Sequence, residues 1–334
     1  MKTSILAALL GILLLTTAGA LFFGRFAFSP AEFLSVLHTW VTGGELSISQ
    51  NQTMSIMFNV RLPRVLAALV IGASLASSGC VYQAMFLNPL VSPGILGVLA
   101  GASFGAGVGI VFFSSWMLTQ VLAFVFACSA VGLSLMFASI MRKSTLLVLV
   151  LGGMVSTSFF TSLTSILKFI ADPSKKLPEL VYWLMGTFSR IDGTTLFWLA
   201  IPMLAGIAFL CGQGKNINAL SMGEEEALSL GVPVKRLRFA IIATATCISA
   251  LTVVMVGVVG WVGLVMPHIM RFLVGPDHRL LMPAAAMGGA VFMLVTDSLT
   301  RNLFSAELPV GVFTSLISLP LFVLSLRYSK GAWK

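Results

Sequence analysis

Between Phe239 and Met270 the chain carries no Asp, Glu, Lys or Arg, and the apolar run extends through Val274 for 36 residues. As a helix rising 1.5 Å per residue, such a run is about 54 Å long, against a hydrocarbon core of about 30 Å. That is too long for one crossing and short for two full ones. Gly257, Gly260 and Gly263 permit a turn within it. The run therefore predicts a pair of membrane helices, one of them short or broken.

The rest of the chain repeats this pattern. Of 334 residues, 58% are hydrophobic and 9% charged, with mean hydropathy +1.02. A soluble domain is about 45–50% apolar and about 25% charged, so one water-soluble core cannot bury this much apolar surface. The composition excludes a disordered chain, a small disulfide-rich secreted domain and an ordinary cytosolic enzyme. The net charge of +9 lies in short clusters between apolar stretches, which argues against nucleic-acid binding. Cys80, Cys128, Cys211 and Cys247 sit singly in apolar runs without metal-ligand or disulfide spacing, and read as small packing residues.

Apolar stretches divided by charges or Pro/Gly clusters place spans near 4–23, 60–87, 94–113, 116–138, 145–170, 194–211, 237–257, 258–274, 281–301 and 309–327. The expected fold is all-α: a single transmembrane domain over 1–334 with about ten helices. The first stretch shares features with a cleavable signal peptide, but its apolar run through Phe23 is long enough for a retained span. Basic residues orient the stack. Lys2, Arg142, Lys143, Lys215, Lys235, Arg236, Arg238, Arg271 and Arg279 fall on one side, which predicts both termini in the cytoplasm. The loop sequence PAEFLSVLHTW on the other side spaces Phe33, Leu34, Leu37 and Trp40 as the face of an interfacial helix, with His38 an interface residue.

Within the spans, Gly97, Gly101, Gly105 and Gly109 recur every four residues, a groove for close backbone packing. TSFFTSLTS at 157–165 is rich in hydroxyls, which either bond back to carbonyls or line a wet cavity.

Four constellations interrupt the apolar monotony. Arg61 and Arg64 bracket a proline at the outer start of the second span, where they can snorkel to headgroups or present donors to an acidic partner. Asn88, Pro89, Ser92 and Pro93 form a rigid turn at the cytoplasmic end of that span, with Gln83 close by. Ser221 to Pro233 holds Glu224, Glu225 and Glu226 where a helix N-terminus favours acids, and Gly231 and Pro233 where a helix stops. It predicts a two-turn loop helix, either simply solvated or a docking knob. Asp297 and Arg301 are four apart, placed to pair on one helix face or to present a charge to a partner. His268 and His278 read as interface residues; no carboxylate cluster or H-x-x-x-H accompanies them, so no metal site is expected.

RLPR, GASLASSGCVYQAMFLNPLVSPGILGVLAGASFGA, ALSLGV, GWVGLVMPHIMRFLVGPDHR, D-x3-R and ELPVG occur here in an order that resembles the FecCD family, permease subunits of iron-chelate (siderophore), haem and cobalamin ABC importers. The likeness covers about 55 to 325. One departure is Ser318 in SLPLF, where the family often has glycine. The resemblance implies a homodimer with a path between copies, two cytoplasmic ATPase subunits that bind ATP and Mg, and an extracytoplasmic substrate-binding protein. It implies a bacterial inner-membrane location, no cofactor in this chain and no enzymatic activity of its own; indeed no phosphate-loop motif is present. By motif match, Arg61, Arg64 and Arg301 would dock the binding protein. The segment carrying Gly223, Glu224, Glu225, Glu226, Ala227, Leu228, Leu230 and Gly231 would be the ATPase-coupling helix. Ser144 and Thr145 would lie near the cytoplasmic gate, and the fifth and tenth spans would line the path. Iron chelate is the expected cargo, with haem or cobalamin the alternatives. A secondary transporter is the rival class, and Asp297 is its best candidate for a carboxylate within a span.

Overall fold

The computed structural model describes residues 2–26, 28–141, 146–303 and 307–328. Helix follows helix, with no strand among these residues. The elements are α1 (Lys2–Phe22), α2 (Pro30–Val41), α3 (Ile48–Ser55), α4 (Leu62–Met85), α5 (Val98–Val108), α6 (Trp116–Ile140), α7 (Leu146–Ile170), α8 (Lys176–Met185), α9 (Gly193–Gly212), α10 (Gly214–Leu220), α11 (Glu224–Ser229), α12 (Val234–Val256), α13 (Val262–Val274), α14 (His278–Asn302) and α15 (Val310–Tyr328).

Each of the ten expected spans coincides with a helix. Seven are long and apolar enough to cross a membrane: α1, the continuous α3–α4 rod, α6, α7, α9, α12 and α14. Three are shorter: α5 with its π-helical extension to Phe113, α13, and α15. The expected set of about ten helices thus comprises seven long ones and three short ones, in a multi-pass membrane protein. The pair predicted from the charge-free run is there. Its break falls at Gly257, whose φ of +73° suits a residue without Cβ, and its short member is α13.

The loop helix expected at PAEFLSVLHTW is α2. It begins with a capping box in which Ser29 accepts from Glu32 N–H and Glu32 accepts from Ser29 N–H. Its apolar surface divides: Val36 is buried, whereas Leu34 and Trp40 are exposed.

The bundle is organised around α4, which packs against α14, α13, α12 and α9 and is buried along nearly its whole length. Small residues make that possible. A Cβ on Gly72 would collide with the carbonyl oxygen of Gly289 in α14, and one on Gly289 with that of Gly72. The two backbones therefore touch directly. The Gly101, Gly105 and Gly109 steps of the predicted groove receive the backbone of α6 at Phe126, Leu122 and Thr119, so the ladder is a packing device.

Packing also explains the short helices. The chain between α4 and α5 does not turn at the membrane face but dips inward. There Pro93 rests against Gly263 at the start of α13, level with Leu75 of α4. Leu75 is ten residues from the end of α4, about 15 Å along its axis. Two partial spans thus begin inside the bundle. Their non-helical backbone is shielded from lipid by protein, as a hydrocarbon environment requires.

Candidate functional site

At the face where α4 begins and α14 ends, the arginines singled out by sequence come together. Arg61 turns inward onto the C-terminal end of α1. Its Nη1 donates to the carbonyls of Leu21 (2.7 Å) and Phe22 (3.0 Å), and its Nη2 to that of Phe26. These include carbonyls that a helix end leaves without partners, and a cation there also complements the helix dipole. The guanidinium also lies 4.4 Å from the centroid of the Phe28 ring, a cation–π contact.

Arg64 and Arg301 share one carboxylate. Arg64 Nε donates to Asp297 Oδ1 at 2.8 Å, and Arg301 Nε lies 3.1 Å from Asp297 Oδ2. Arg64 Nη1 reaches both oxygens of Glu307, at 3.1 and 3.0 Å. Asp297 is fully buried, Arg61, Arg64 and Arg301 nearly so, while Glu307 is a third exposed. Arg25 Nε closes the cluster by donating to the carbonyl of Arg301 at 2.8 Å.

The expected Asp297–Arg301 pair is present. Arg61, Arg64 and Arg301, which the resemblance assigns to docking, are all turned onto acceptors within the chain. Removing such large cations from water is tolerable only with acceptors at hand, and Asp297, Glu307 and the end of α1 supply them. Sequence reasoning missed Arg64–Asp297 and Arg64–Glu307. The available signal was that Asp297 is a lone acid inside a span and so needed a cation from another helix.

At the opposite face, α11 projects as a knob. Gly223 precedes it at φ +128°, and Glu224, Glu225 and Glu226 fill its first turn. Its end is a Schellman motif: Val232 N–H reaches the Ala227 carbonyl (3.0 Å) and Gly231 N–H the Leu228 carbonyl (2.9 Å). Gly231 at φ +77° supplies the left-handed step. The helix stops at Ser229, so the two turns expected through Leu230 are corrected to a six-residue helix with Leu230 as its C-cap. Ala227 is buried, and Arg238 of α12 holds Glu224 at 3.0 Å. Met222, Leu228 and Leu230 are more than half exposed. A rigidly capped, acid-tipped helix with three outward apolar side chains is shaped to enter a recess.

The predicted turn splits in two. Asn88 and Pro89 lie at the α11 face, where Asn88 Oδ1 accepts from Leu90 N–H at 3.0 Å. Ser92 and Pro93 lie inside the bundle, beside Gly260 and Gly263. The correction follows from Pro93 packing on a glycine, which draws the loop inward. Ser144 and Thr145 fall outside the described residues.

Along α7, the hydroxyls divide by face. Ser156 and Thr164 are buried and bond to the carbonyls of Ala130 and Phe160. Ser158, Thr161, Ser162 and Ser165 are exposed and follow the 3–4–7 spacing of one helical face, though Ser165 also bonds back to the Thr161 carbonyl at 3.0 Å. An outward hydroxyl stripe on a membrane helix fits a wet surface better than lipid.

A model of the FecCD transport family matches residues 10–328. A molybdate import system permease protein of Haemophilus influenzae is 37% identical, over 98% of this chain and 96% of its own length. A vitamin B12 import system permease protein of Klebsiella pneumoniae is 35% identical, over 87% of this chain and 88% of its own. A solved structure described as an inward-facing conformation of a putative metal-chelate type ABC transporter is 36% identical. It covers 98% of this chain and 99% of its own, with a TM-score of 0.87.

Proposed function

Because this chain belongs to the FecCD transport family, as a membrane permease of the ABC importer type, we propose that two copies form the path of an importer for an iron–siderophore or related metal chelate. In this reading each copy is a single permease domain with both termini in the cytoplasm of a bacterial inner membrane. Two ATPase subunits bind ATP and Mg on the inner side, and a binding protein delivers cargo on the outer side.

The observation that carries the reading is α11. It is braced by Arg238, closed at both ends by glycines at positive φ, and presents Met222, Leu228 and Leu230 outward. Seated in a recess of an ATPase subunit, it would pass that subunit's motion to α10 and α12, against which it packs. Energy then travels as a difference in affinity between two permease states. The hydroxyl stripe of α7 supports this helix as a wall of the path. Ser144 and Thr145 would serve the inner gate, and Asn88 and Pro89 at the α11 face would serve it too. At the outer face, Arg61, Arg64 and Arg301 would act in docking by shaping that surface, with Glu307 the acid a docking partner's carboxylate would have to compete with at Arg64. Asp297, held between two arginines, is unsuited to the proton coupling of a secondary transporter.

The cargo is proposed from the likeness to the metal-chelate type transporter over nearly the full chain. Molybdate is a second reading, favoured by the relative that matches 98% of this chain. Two measurements test the proposal. Leu228→Asp should abolish co-purification of the ATPase subunits while the permease stays folded, since Leu228 is exposed; stoichiometric ATPase with that variant refutes the knob. In the reconstituted complex, ATPase stimulation is compared across iron–siderophore, haem, cobalamin and molybdate, each with its binding protein. Stimulation by the iron chelate is the expected result, and stimulation by molybdate alone overturns the cargo assignment.

A further inference from the structure

A cavity of about 430 Å³ opens where α4, α13 and α14 meet at the α11 face. Its polar lining is Gln83, Asn88, Ser221, His268, Arg271 and His278, and among the described residues no Asp or Glu lines it. Gln83 meets His268 and His278, far from it in the sequence, in this one cavity.

Charge is unbalanced here. Arg271 donates from Nη2 to Gln83 Oε1 at 3.3 Å, and Gln83 is itself fixed because its Nε2 donates to the carbonyl of Leu264 at 3.0 Å. The amide thus orients the guanidinium without neutralising it. Among the described residues, no carboxylate lies within ion-pair distance of Arg271. Asp277, nearby in sequence, is engaged elsewhere, by Arg279 Nε and Nη2 (3.0 and 2.6 Å) and by Asn218 Nδ2 (2.7 Å).

The same relay fixes His278. With Asn218 Nδ2 donating to Asp277, its Oδ1 faces His278 and accepts from both the backbone N–H (2.8 Å) and Nδ1 (2.9 Å). His278 therefore carries its proton on Nδ1 and, like His268, forms a wall of the cavity without adding negative charge. Ala84, Leu87, Pro89, Phe272 and Pro276 complete the lining with apolar surface. Low-dielectric walls around an oriented, unneutralised guanidinium strengthen its attraction for an anion. A planar fork with free N–H groups matches the paired oxygens of a carboxylate or phosphate.

We propose that this cavity is a binding site for a small oxyanion, a phosphate or carboxylate group recognised by Arg271 and held in place by the Gln83 brace. Ser221 of its rim adjoins Met222 in the sequence, so an occupant sits next to the segment that leads into α11. The inference is independent of which cargo the permease carries.

The test is equilibrium binding of radiolabelled orthophosphate to the full-length protein in nanodiscs of phosphatidylcholine at low chloride. One saturable site per chain is expected. Arg271→Gln should weaken it at least tenfold, and Arg271→Lys should weaken it less. Ser221→Trp keeps the arginine and fills the rim, and should produce the same loss with an unchanged melting temperature of the unliganded protein. That variant covers the case in which Arg271→Gln does not fold. Phosphatidic acid added to the disc separates two sources of the same chemistry. If it competes with orthophosphate, the site is supported with a lipid headgroup as occupant; if it does not, the site is supported with a soluble anion. Absence of saturable binding to the wild type, or unchanged binding in both Arg271→Gln and Ser221→Trp, overturns the proposal.

Discussion

Replacing Asp297 separates two descriptions of the outer charge cluster, as a source of stability or as a compensated cost. The carboxylate is fully buried and carries Arg64 at 2.8 Å and Arg301 at 3.1 Å. In Asp297→Ala, Arg64 retains Glu307, but Arg301 retains only weak contacts with the Ala20 carbonyl at 3.4 Å and the Ser298 hydroxyl at 3.3 Å. Removing one member of a buried pair costs about 3–5 kcal/mol because the partner stays buried without its counter-charge. Asp297→Ala is placed in that range, and Asp297→Asn, which keeps the shape and one acceptor, near about 2 kcal/mol. The triple variant Arg64→Met, Asp297→Leu, Arg301→Met removes the three charges of the Asp297 group together and leaves Glu307 a third exposed, with Arg61 still held by the end of α1. It should lie within about 1–2 kcal/mol of wild type, because exchanging a buried ionic group for apolar residues is often close to neutral. The assay is reversible unfolding in mixed micelles at increasing SDS fraction, followed by tryptophan fluorescence. A loss below about 1 kcal/mol in Asp297→Ala would refute the reasoning. So would a triple variant less stable than Asp297→Ala.

Three further outcomes follow from the packing and the pH response. Gly72→Leu should abolish the folded permease, seen as aggregation on size-exclusion chromatography, because its side chain has to enter the space of the Gly289 carbonyl. Gly132→Ala in α6, where an added Cβ meets nothing within 4 Å, should instead raise the melting temperature through helix propensity of about 1 kcal/mol. Asp277 is held well below the usual carboxylate range, first by its hydrogen bonds from Arg279 and then by that from Asn218. Its folded pKa lies below the unfolded value, so its contribution is complete at neutral pH and is lost progressively as pH falls below about 4. Asp277→Asn should flatten the melting temperature against pH below about 4; an unchanged slope there would contradict the assignment.

Much of the fold was legible because a bilayer imposes a length. Apolar runs bounded by charge or Pro/Gly clusters must be helices of about that length, and each of the ten sequence segments found its helix. The helix α11 was legible for a different reason: its acidic start and its Gly231 and Pro233 stop act within a dozen residues, before any tertiary contact matters. The glycine groove was readable as well, since spacing alone places Gly101, Gly105 and Gly109 on one helix face.

What tertiary structure decided were the relations between distant parts of the chain. Arg64 meets Asp297 across a sequence separation of 233, and Arg64 meets Glu307 across 243. Neither residue's local pattern encodes that meeting. Arg61 and Arg64, at the start of a span, give no local sign of the acceptors that α1 and α14 bring over them. The turn at Asn88–Pro93 was placed at the membrane face for lack of knowledge that Gly263, on another helix, leaves room for Pro93 inside. Arg271, Gln83 and His278 were separate polar residues until α4, α13 and α14 converged. The sequence by itself determined an all-helical, multi-pass chain and its local caps, since hydrocarbon thickness and backbone hydrogen bonding act residue by residue. Only the folded bundle decided which buried charges are neutralised and which are left open, because that depends on contacts between helices far apart in the chain.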